Sequence, residues 1–366
     1  MYFDYTSTTK IDDEILKLLV KVESDFYGNT EALHYLGQRS NNLLEKAKNE
    51  ISDILKVNHE IIFTHNATEA NNLGIQGVVS GKKGKVITTK IEHPSVFEVF
   101  KALEKQGYEV VYLNVNSDGV IDLKELENEM NKDVLLVSCM WVNNITGSIQ
   151  PIKKVIDIVS KYPKAKLHVD AVQGMCKIVP DFSFNEIDLM TISAHKFYGP
   201  KGVGALMYKK NIILEKTIYG SNVQNGIKPG TIDLGKAVCL CKAIKKYYPT
   251  TKDRYDFTIK LCNKLRENIK NVSCIKINSN NYNSPYIFNI SFDGINGETI
   301  LHRLEEKEIY VSTGSSCSSK IKKPEKTIYE CFKDENRALS SIRISLSHHT
   351  TEEEIDALIN AIKEIV

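Results

Sequence analysis

Lys196 stands in the run Thr191-Ile192-Ser193-Ala194-His195-Lys196-Phe197-Tyr198-Gly199-Pro200. The preceding Asp188-Leu189-Met190-Thr191-Ile192 reads as a buried strand, and the Gly-Pro pair that follows cannot continue a helix, so the lysine falls just past a strand end. Ligands of α/β proteins collect beyond the carboxyl ends of parallel strands, and a lysine held there in partly apolar surroundings can lose its proton and attack a carbonyl carbon. Asp170 closes another strand-like run in His168-Val169-Asp170-Ala171-Val172-Gln173. A carboxylate there suits a helix cap, and equally a pyridine nitrogen, whose protonated form it favours by opposite charge. Pyridoxal phosphate carries both an aldehyde and a pyridine, so Lys196 and Asp170 explain each other.

Other side chains have the chemistry to complete such a site. In Asn66-Ala67-Thr68-Glu69-Ala70-Asn71-Asn72, a turn running into a helix start, free amides and the Thr68 hydroxyl can donate to an anion or serve as a simple cap. His93, in Glu92-His93-Pro94, is a titratable ring that can stack on a planar cofactor or bond structurally. Trp141-Val142-Asn143-Asn144 offers two amides for a ligand or for turning a loop. Cys317 sits in Ser312-Thr313-Gly314-Ser315-Ser316-Cys317-Ser318-Ser319, a small-residue loop suited to an exposed nucleophile. Arg343, in Ser341-Ile342-Arg343-Ile344-Ser345, can grip a carboxylate through its planar fork or make a salt bridge. The polar run Asp4-Tyr5-Thr6-Ser7-Thr8-Thr9 suits an N-cap or the edge of a ligand site. Gly199-Pro200-Lys201-Gly202-Val203-Gly204 lacks the Gly-Lys-Ser/Thr ending of a phosphate loop and reads as a tight turn before a strand over Val203–Tyr208.

The elements that must position these groups follow from periodicity. Strand-like runs recur at Ile61–Thr64, Lys85–Thr89, Glu109–Val115, Val134–Cys139, Lys166–Val169 and Leu189–Ile192, with helical segments between most of them, which predicts a mainly parallel sheet. Helical spacing marks Ile11–Val22 and Gly37–Leu55. After about Asp233 the rhythm changes: long helical patterns at Ala237–Tyr247 and Lys252–Ile269 precede strand candidates at Ile287–Phe292 and Ile309–Val311. The expected architecture is α/β, a large domain over 11–250 and a smaller α+β domain made of 1–10 and 251–366.

Composition narrows the partners. With 366 residues, 42% of them hydrophobic, the chain can bury a large core, and 48 basic against 46 acidic residues leave no overall field favouring nucleic acid or an anionic membrane. Met1-Tyr2-Phe3-Asp4-Tyr5 has no signal-peptide pattern, and no apolar run approaches the ~20 residues needed to span a bilayer, so a cytoplasmic location is expected. Eight scattered cysteines form no disulfide scaffold and no paired zinc motif; reduced thiols and no metal are expected.

Taken in order, Asp4–Thr9, Ala67–Asn72, Glu92–Pro94, Val142–Asn144, His168–Gln173 and Ser193–Gly204 closely resemble the NifS/IscS-like cysteine desulfurases, pyridoxal phosphate enzymes of the class-V aminotransferase group. The resemblance reaches from Phe3 nearly to the C-terminus. It implies the aspartate aminotransferase-like architecture of fold type I, with a seven-stranded sheet in the large domain. It also implies a covalent cofactor link at Lys196, Asp170 on the ring nitrogen, His93 stacked on the ring as well as acting as a proton donor or acceptor, and Asn144 and Gln173 at the phenolic oxygen. Thr68, Ser193 and His195 would hold the phosphate, with Ala67 also against the cofactor. Thr231 would reach the phosphate of the partner in a homodimer, Arg343 and Asn144 would bind substrate, and Cys317 would take sulfur from L-cysteine as a persulfide for an acceptor protein. Iron-sulfur cluster assembly or tRNA and cofactor thiolation would be its outlets.

Several positions depart from the family pattern. Ile145 and Thr146 replace a Glu-Ile pair, Gly220-Ser221-Asn222-Val223-Gln224-Asn225-Gly226-Ile227-Lys228-Pro229-Gly230-Thr231 replaces a glycine-rich stretch with a Glu and an Arg, and His348-His349 stands where Gly-Arg is common. Exchanging a planar guanidinium for Lys228 is not neutral where both prongs are used. A selenocysteine lyase, another small-amino-acid lyase or aminotransferase, and a weakly active cofactor-binding scaffold in sulfur trafficking are therefore the competing readings.

Overall fold

The computed structural model describes residues 1–313 and 323–365. Its largest sheet has seven strands, β1 (His59–Thr64), β2 (Lys85–Thr89), β3 (Glu109–Leu113), β4 (Val134–Met140), β5 (Lys166–Asp170), β6 (Leu189–Ser193) and β7 (Gly204–Lys209), in the order β1-β7-β6-β5-β4-β2-β3. Only β7 runs against its neighbours. The cause is local: the turn after Lys196 reverses the chain directly, with no crossover helix, so Ser193 pairs with Gly204 and Leu189 with Tyr208.

Side chains alternate along each strand and serve two apolar layers. Ile61, Phe63, Met190, Ile192, Ala205 and Met207 pack with helices Asp13–Asp25, Tyr35–Leu55, Ile152–Val159 and Leu234–Tyr247. Ile62, Leu189, Leu206 and Tyr208 point the other way, onto helices Ala67–Val79 and Pro94–Lys105. Covering both faces is what a largely parallel sheet requires, and it leaves the carboxyl ends of β1, β2, β4, β5 and β6 along one open edge.

A second sheet, β8 (Ile275–Ile277), β9 (Ile287–Phe292) and β10 (Ser341–Ser345), is antiparallel in the order β10-β9-β8. It shares an apolar cluster with helices Thr251–Ile269, Gly297–Glu305 and Glu352–Ile365, and Phe3 inserts into the same cluster. The N-terminus is laced onto it through bridges Tyr2–Tyr310 and Asp4–Ser345. The expected strand at Ile309–Val311 is not one. Tyr310 makes a single bridge, to Tyr2 of the N-terminal segment. Of the two roles open to Asp4–Thr9, the cap is taken by Asp12, which caps helix Asp13–Asp25 through the amides of Glu14 and Ile15, and the polar run faces the open edge. No helix among the described residues is long and apolar enough to cross a membrane.

Candidate active site

A cleft of about 540 Å³ lies along the open edge, and Ala67, Thr68, His93, Asn144, Asp170, Gln173, Ser193, His195, Lys196 and Arg343 all line it. Lys196 closes a short 3₁₀ turn, Ala194–Lys196, that begins as β6 ends. Its ammonium donates to the carbonyls of Thr6 and Ser7, both at 2.8 Å. Burial, with the positive charge of Arg343 behind it, lowers its pKa to about 8, against the pull of Asp4 and Asp170. A lysine so placed is neutral in part near physiological pH, which is the condition for attack on an aldehyde.

Asp170 ends β5, and both of its oxygens are held. Oδ1 accepts from the Val172 amide at 3.0 Å, and Oδ2 accepts from Asn71 Nδ2 at 3.0 Å. Asn71 also donates to Ser95 Oγ at 2.9 Å, tying helix Ala67–Val79 to the start of helix Pro94–Lys105. His93 caps that second helix, taking the Ser95 amide on Nδ1 at 3.1 Å, and its ring stands exposed at the cleft. Thus the structural and the ligand-facing roles of His93 coexist. His168 is structural: it is fully buried between Ser138 Oγ at 2.8 Å and Thr191 Oγ1 at 3.1 Å, and burial drops its pKa to about 4.

The opposite end of the cleft is built for an anion. Helix Ala67–Val79 starts there, capped by Asn66, and the first amides of any helix lie outside its own hydrogen-bond ladder. Ser193 Oγ is buried beside it with no partner. Gly204 makes the approach possible, since a Cβ there would lie 2.9 Å from the Asn66 carbonyl carbon and 3.1 Å from the Ala67 nitrogen. His195 places Nδ1 3.1 Å from Thr8 Oγ1, and burial lowers its pKa to about 4, so it meets an anion as a neutral ring.

Arg343 on β10 reaches the cleft from the second sheet. Its Nη1 donates to the Asn144 carbonyl at 2.9 Å, and Nη2 donates to Asp4 Oδ1 at 2.9 Å and to Ser7 Oγ at 2.7 Å. Gln173 gives Nε2 to the Thr6 carbonyl at 3.1 Å and receives Lys177 Nζ on Oε1 at 2.9 Å. Asn143, the other asparagine of the pair, is buried and folds its own turn, accepting from the amides of Ile145 and Thr146.

The chain matches the aminotransferase class-V family profile over residues 1–358. It belongs to the class-V aminotransferases. Among curated relatives, the NifS/IcsS protein homolog of Lactobacillus delbrueckii subsp. bulgaricus is 36% identical, covering all of this chain and 97% of the relative. Cysteine desulfurase IscS of Vibrio cholerae is 35% identical, covering all of this chain and 92% of the relative. A solved structure titled NIFS-like protein superposes with a TM-score of 0.92 at 34% identity, covering all of this chain and 98% of that one. The class-V chain described here therefore lies within the NifS/IscS group, has the fold-type-I architecture and uses pyridoxal phosphate.

The cleft fits that cofactor: it has a lysine of lowered pKa, a buried carboxylate, and an unpartnered serine hydroxyl at a helix start. Thr231, expected at the phosphate of a partner copy, is exposed and does not line this cleft, and Cys317 lies outside the described residues. Asp4, Ser7, Asn71 and Lys177 have no individual role in the sequence reading. Asp4 and Ser7 lie in the polar run that opens the chain and Asn71 in the Asn66–Asn72 turn, whereas Lys177 carries no local signal.

Proposed function

We propose that this chain is a cysteine desulfurase that removes sulfur from L-cysteine, releases L-alanine and holds the sulfur on Cys317 for an acceptor protein. The observation that carries the reading is the convergence of Lys196, Asp170 and Arg343 on one cleft, from two different sheets. When bound, pyridoxal phosphate supplies an electron-accepting ring conjugated to the substrate's α-carbon.

The chain's own residues do the rest. Thr68, Ser193 and His195, with Ala67 beside them, hold the phosphate, and Lys196 anchors the cofactor. Asp170 keeps the ring nitrogen protonated, and Asn144 and Gln173 steady the ring's oxygen side. Arg343 takes the substrate carboxylate, with Asn144 next to it. The amine of Lys196 moves the α-proton, and His93 serves the substrate thiol as proton donor or acceptor. The Cys317 thiolate then bonds to the substrate sulfur as the carbon-sulfur bond breaks. The bonding electrons pass to the carbon skeleton, which is protonated and leaves as alanine.

The same reading divides the chain into a cofactor-binding domain over 11–250 and a smaller domain of 1–10 and 251–366, which carries both Arg343 and Cys317. The separate apolar cluster around β8–β10, with Phe3 in it, supports that division. Exposure of Thr231 agrees with its serving the phosphate of a second copy in a homodimer. A cytoplasmic location and delivery of sulfur to iron-sulfur clusters or thiolated products belong to this proposal.

The test is to incubate the holoenzyme with L-cysteine and quantify alanine and protein-bound sulfur, with Cys317→Ala in parallel. Alanine and labile sulfur from the wild type, with sulfur lost in the variant, are expected. A wild type that yields no alanine is not a desulfurase, and one that acts only on selenocysteine is the related lyase.

A further inference from the structure

Arg343 is almost fully buried, and its five N–H donors can be followed one at a time. Nη2 has both hydrogens engaged, one by Asp4 Oδ1 at 2.9 Å and one by Ser7 Oγ at 2.7 Å. Ser7 Oγ in turn donates to Asp4 Oδ1 at 2.8 Å, closing a triangle around that nitrogen. Nη1 uses one hydrogen on the Asn144 carbonyl. Nε is buried with no partner.

A guanidinium has two edges that grip a carboxylate bidentately, Nε with Nη2 and Nη1 with Nη2. Both edges include Nη2. No carboxylate can therefore be gripped by two prongs while Asp4 and Ser7 both hold that nitrogen. The unpartnered Nε marks the side-on edge as the one left to be completed, since a buried donor without an acceptor is costly. Asp4 is also the anion of the triangle, so an arriving carboxylate meets repulsion from it as well as competition for the donor.

We propose that Asp4 is an internal stand-in for the substrate carboxylate: it holds the Arg343 fork in the free enzyme, and its displacement from Nη2 sets affinity for ligands that bear a carboxylate next to the amine. The inference rests on Arg343 being the carboxylate-binding residue of the proposed function. An amine lacking a carboxylate has no means of displacing Asp4 and does not feel the gate. A neutral amide at position 4 retains the shape and an acceptor oxygen but loses the charge, so it yields Nη2 more readily.

The experiment is a titration of holoenzyme with L-alanine and with cysteamine, followed by the cofactor's absorbance, for wild type, Asp4→Asn, Ser7→Ala and Arg343→Ala. Asp4→Asn is expected to tighten L-alanine binding by about fivefold or more and leave cysteamine unchanged. Ser7→Ala frees one Nη2 hydrogen and is expected to tighten L-alanine in the same direction, which keeps the test open if Asp4→Asn fails to fold. Weaker or unchanged L-alanine binding in the folded variants, or equal tightening of cysteamine, overturns the proposal. Arg343→Ala separates the two readings: if it leaves L-alanine binding intact, the arginine assignment itself is wrong and the gate falls with it. If it weakens binding while Asp4→Asn changes nothing, only the gate is lost.

Discussion

Lys177 Nζ donates to Gln173 Oε1 at 2.9 Å, a buried ammonium fixing the orientation of a buried amide. Because Oε1 is taken from behind, Gln173 must present Nε2 forward, and Nε2 reaches the same Thr6 carbonyl that Lys196 uses. Lys177, Gln173, Lys196 and the distant Thr6 carbonyl thus form one hydrogen-bonded chain at the cleft.

Burial lowers the pKa of Lys177 to about 7, and the charges of Lys196 and Arg343 add to the effect. Between that value and the ordinary 10.5, the unfolded chain binds the proton that the folded chain has released, so stability rises with pH across the window; as pH falls it is lost across the same window, the loss being complete by about pH 7. One proton gives a slope of at most ~1.4 kcal/mol per pH unit. Lys177→Met is expected to flatten that slope in urea unfolding at a series of pH values. It should also loosen cofactor binding, because Gln173 is no longer held. An unchanged slope in the variant would show that Lys177 is not the group that titrates.

Asn71 is the only side chain that donates to Asp170 Oδ2 among the described hydrogen bonds. Its removal leaves a buried carboxylate oxygen short of a donor, which raises the cost of keeping Asp170 ionised opposite the ring nitrogen. Asn71→Ala is expected to weaken pyridoxal phosphate binding roughly tenfold, in line with one hydrogen bond to a charged group. Equilibrium dialysis of the cofactor measures it, and an affinity equal to wild type would remove Asn71 from the site.

The lysine at position 196 gives a pH signature before any substrate is added. In cofactor-free protein its amine becomes neutral as pH rises, so the rate of covalent cofactor uptake should climb and level off with a midpoint near 8 rather than near the ordinary 10.5. Burial is the main cause and Arg343 the next, so Arg343→Gln is expected to move the midpoint upward. Stopped-flow absorbance at stepped pH reads both. A midpoint that stays put in the variant would mean that the arginine's field does not reach Lys196.

Much of this architecture was legible in the sequence because its signals are local. β2 and β9 lie where their β-branched runs place them, and Lys196 falls past β6 because a strand-length apolar run meets a Gly-Pro turn. Two strand assignments failed for one reason. Composition marks an extended, buried segment but not its pairing partner. Ile309–Val311 therefore looked like a strand and makes one bridge, while Ile275–Ile277, only three residues long, looked like nothing and pairs with β9. The site divides the same way. Asp170 and Ser193 end recognisable strands, but Asp4 meets Arg343 across 339 residues, and Lys177 is a lysine that only the fold takes out of water.

Gly204 carries a prediction about the phosphate alone. Its Cα lies where β7 starts against the helix at Ala67, and an added Cβ would sit 2.7 Å from the Ile192 carbonyl oxygen and 2.9 Å from the Asn66 carbonyl carbon. Both are backbone atoms, so neither can swing aside as a flexible side chain would. The strand or the helix start has to shift, and the distance between the Ala67 and Thr68 amides and Ser193 Oγ changes with it. Gly204→Ala is therefore expected to weaken pyridoxal phosphate binding by about tenfold or more, the scale of a misplaced helix-terminus contact. Pyridoxal, which has the same ring and aldehyde without the phosphate, is expected to lose far less. Comparing the two affinities in wild type and variant isolates the anion end of the cleft. An equal loss for both ligands would mean that the glycine supports the whole site rather than its phosphate pocket.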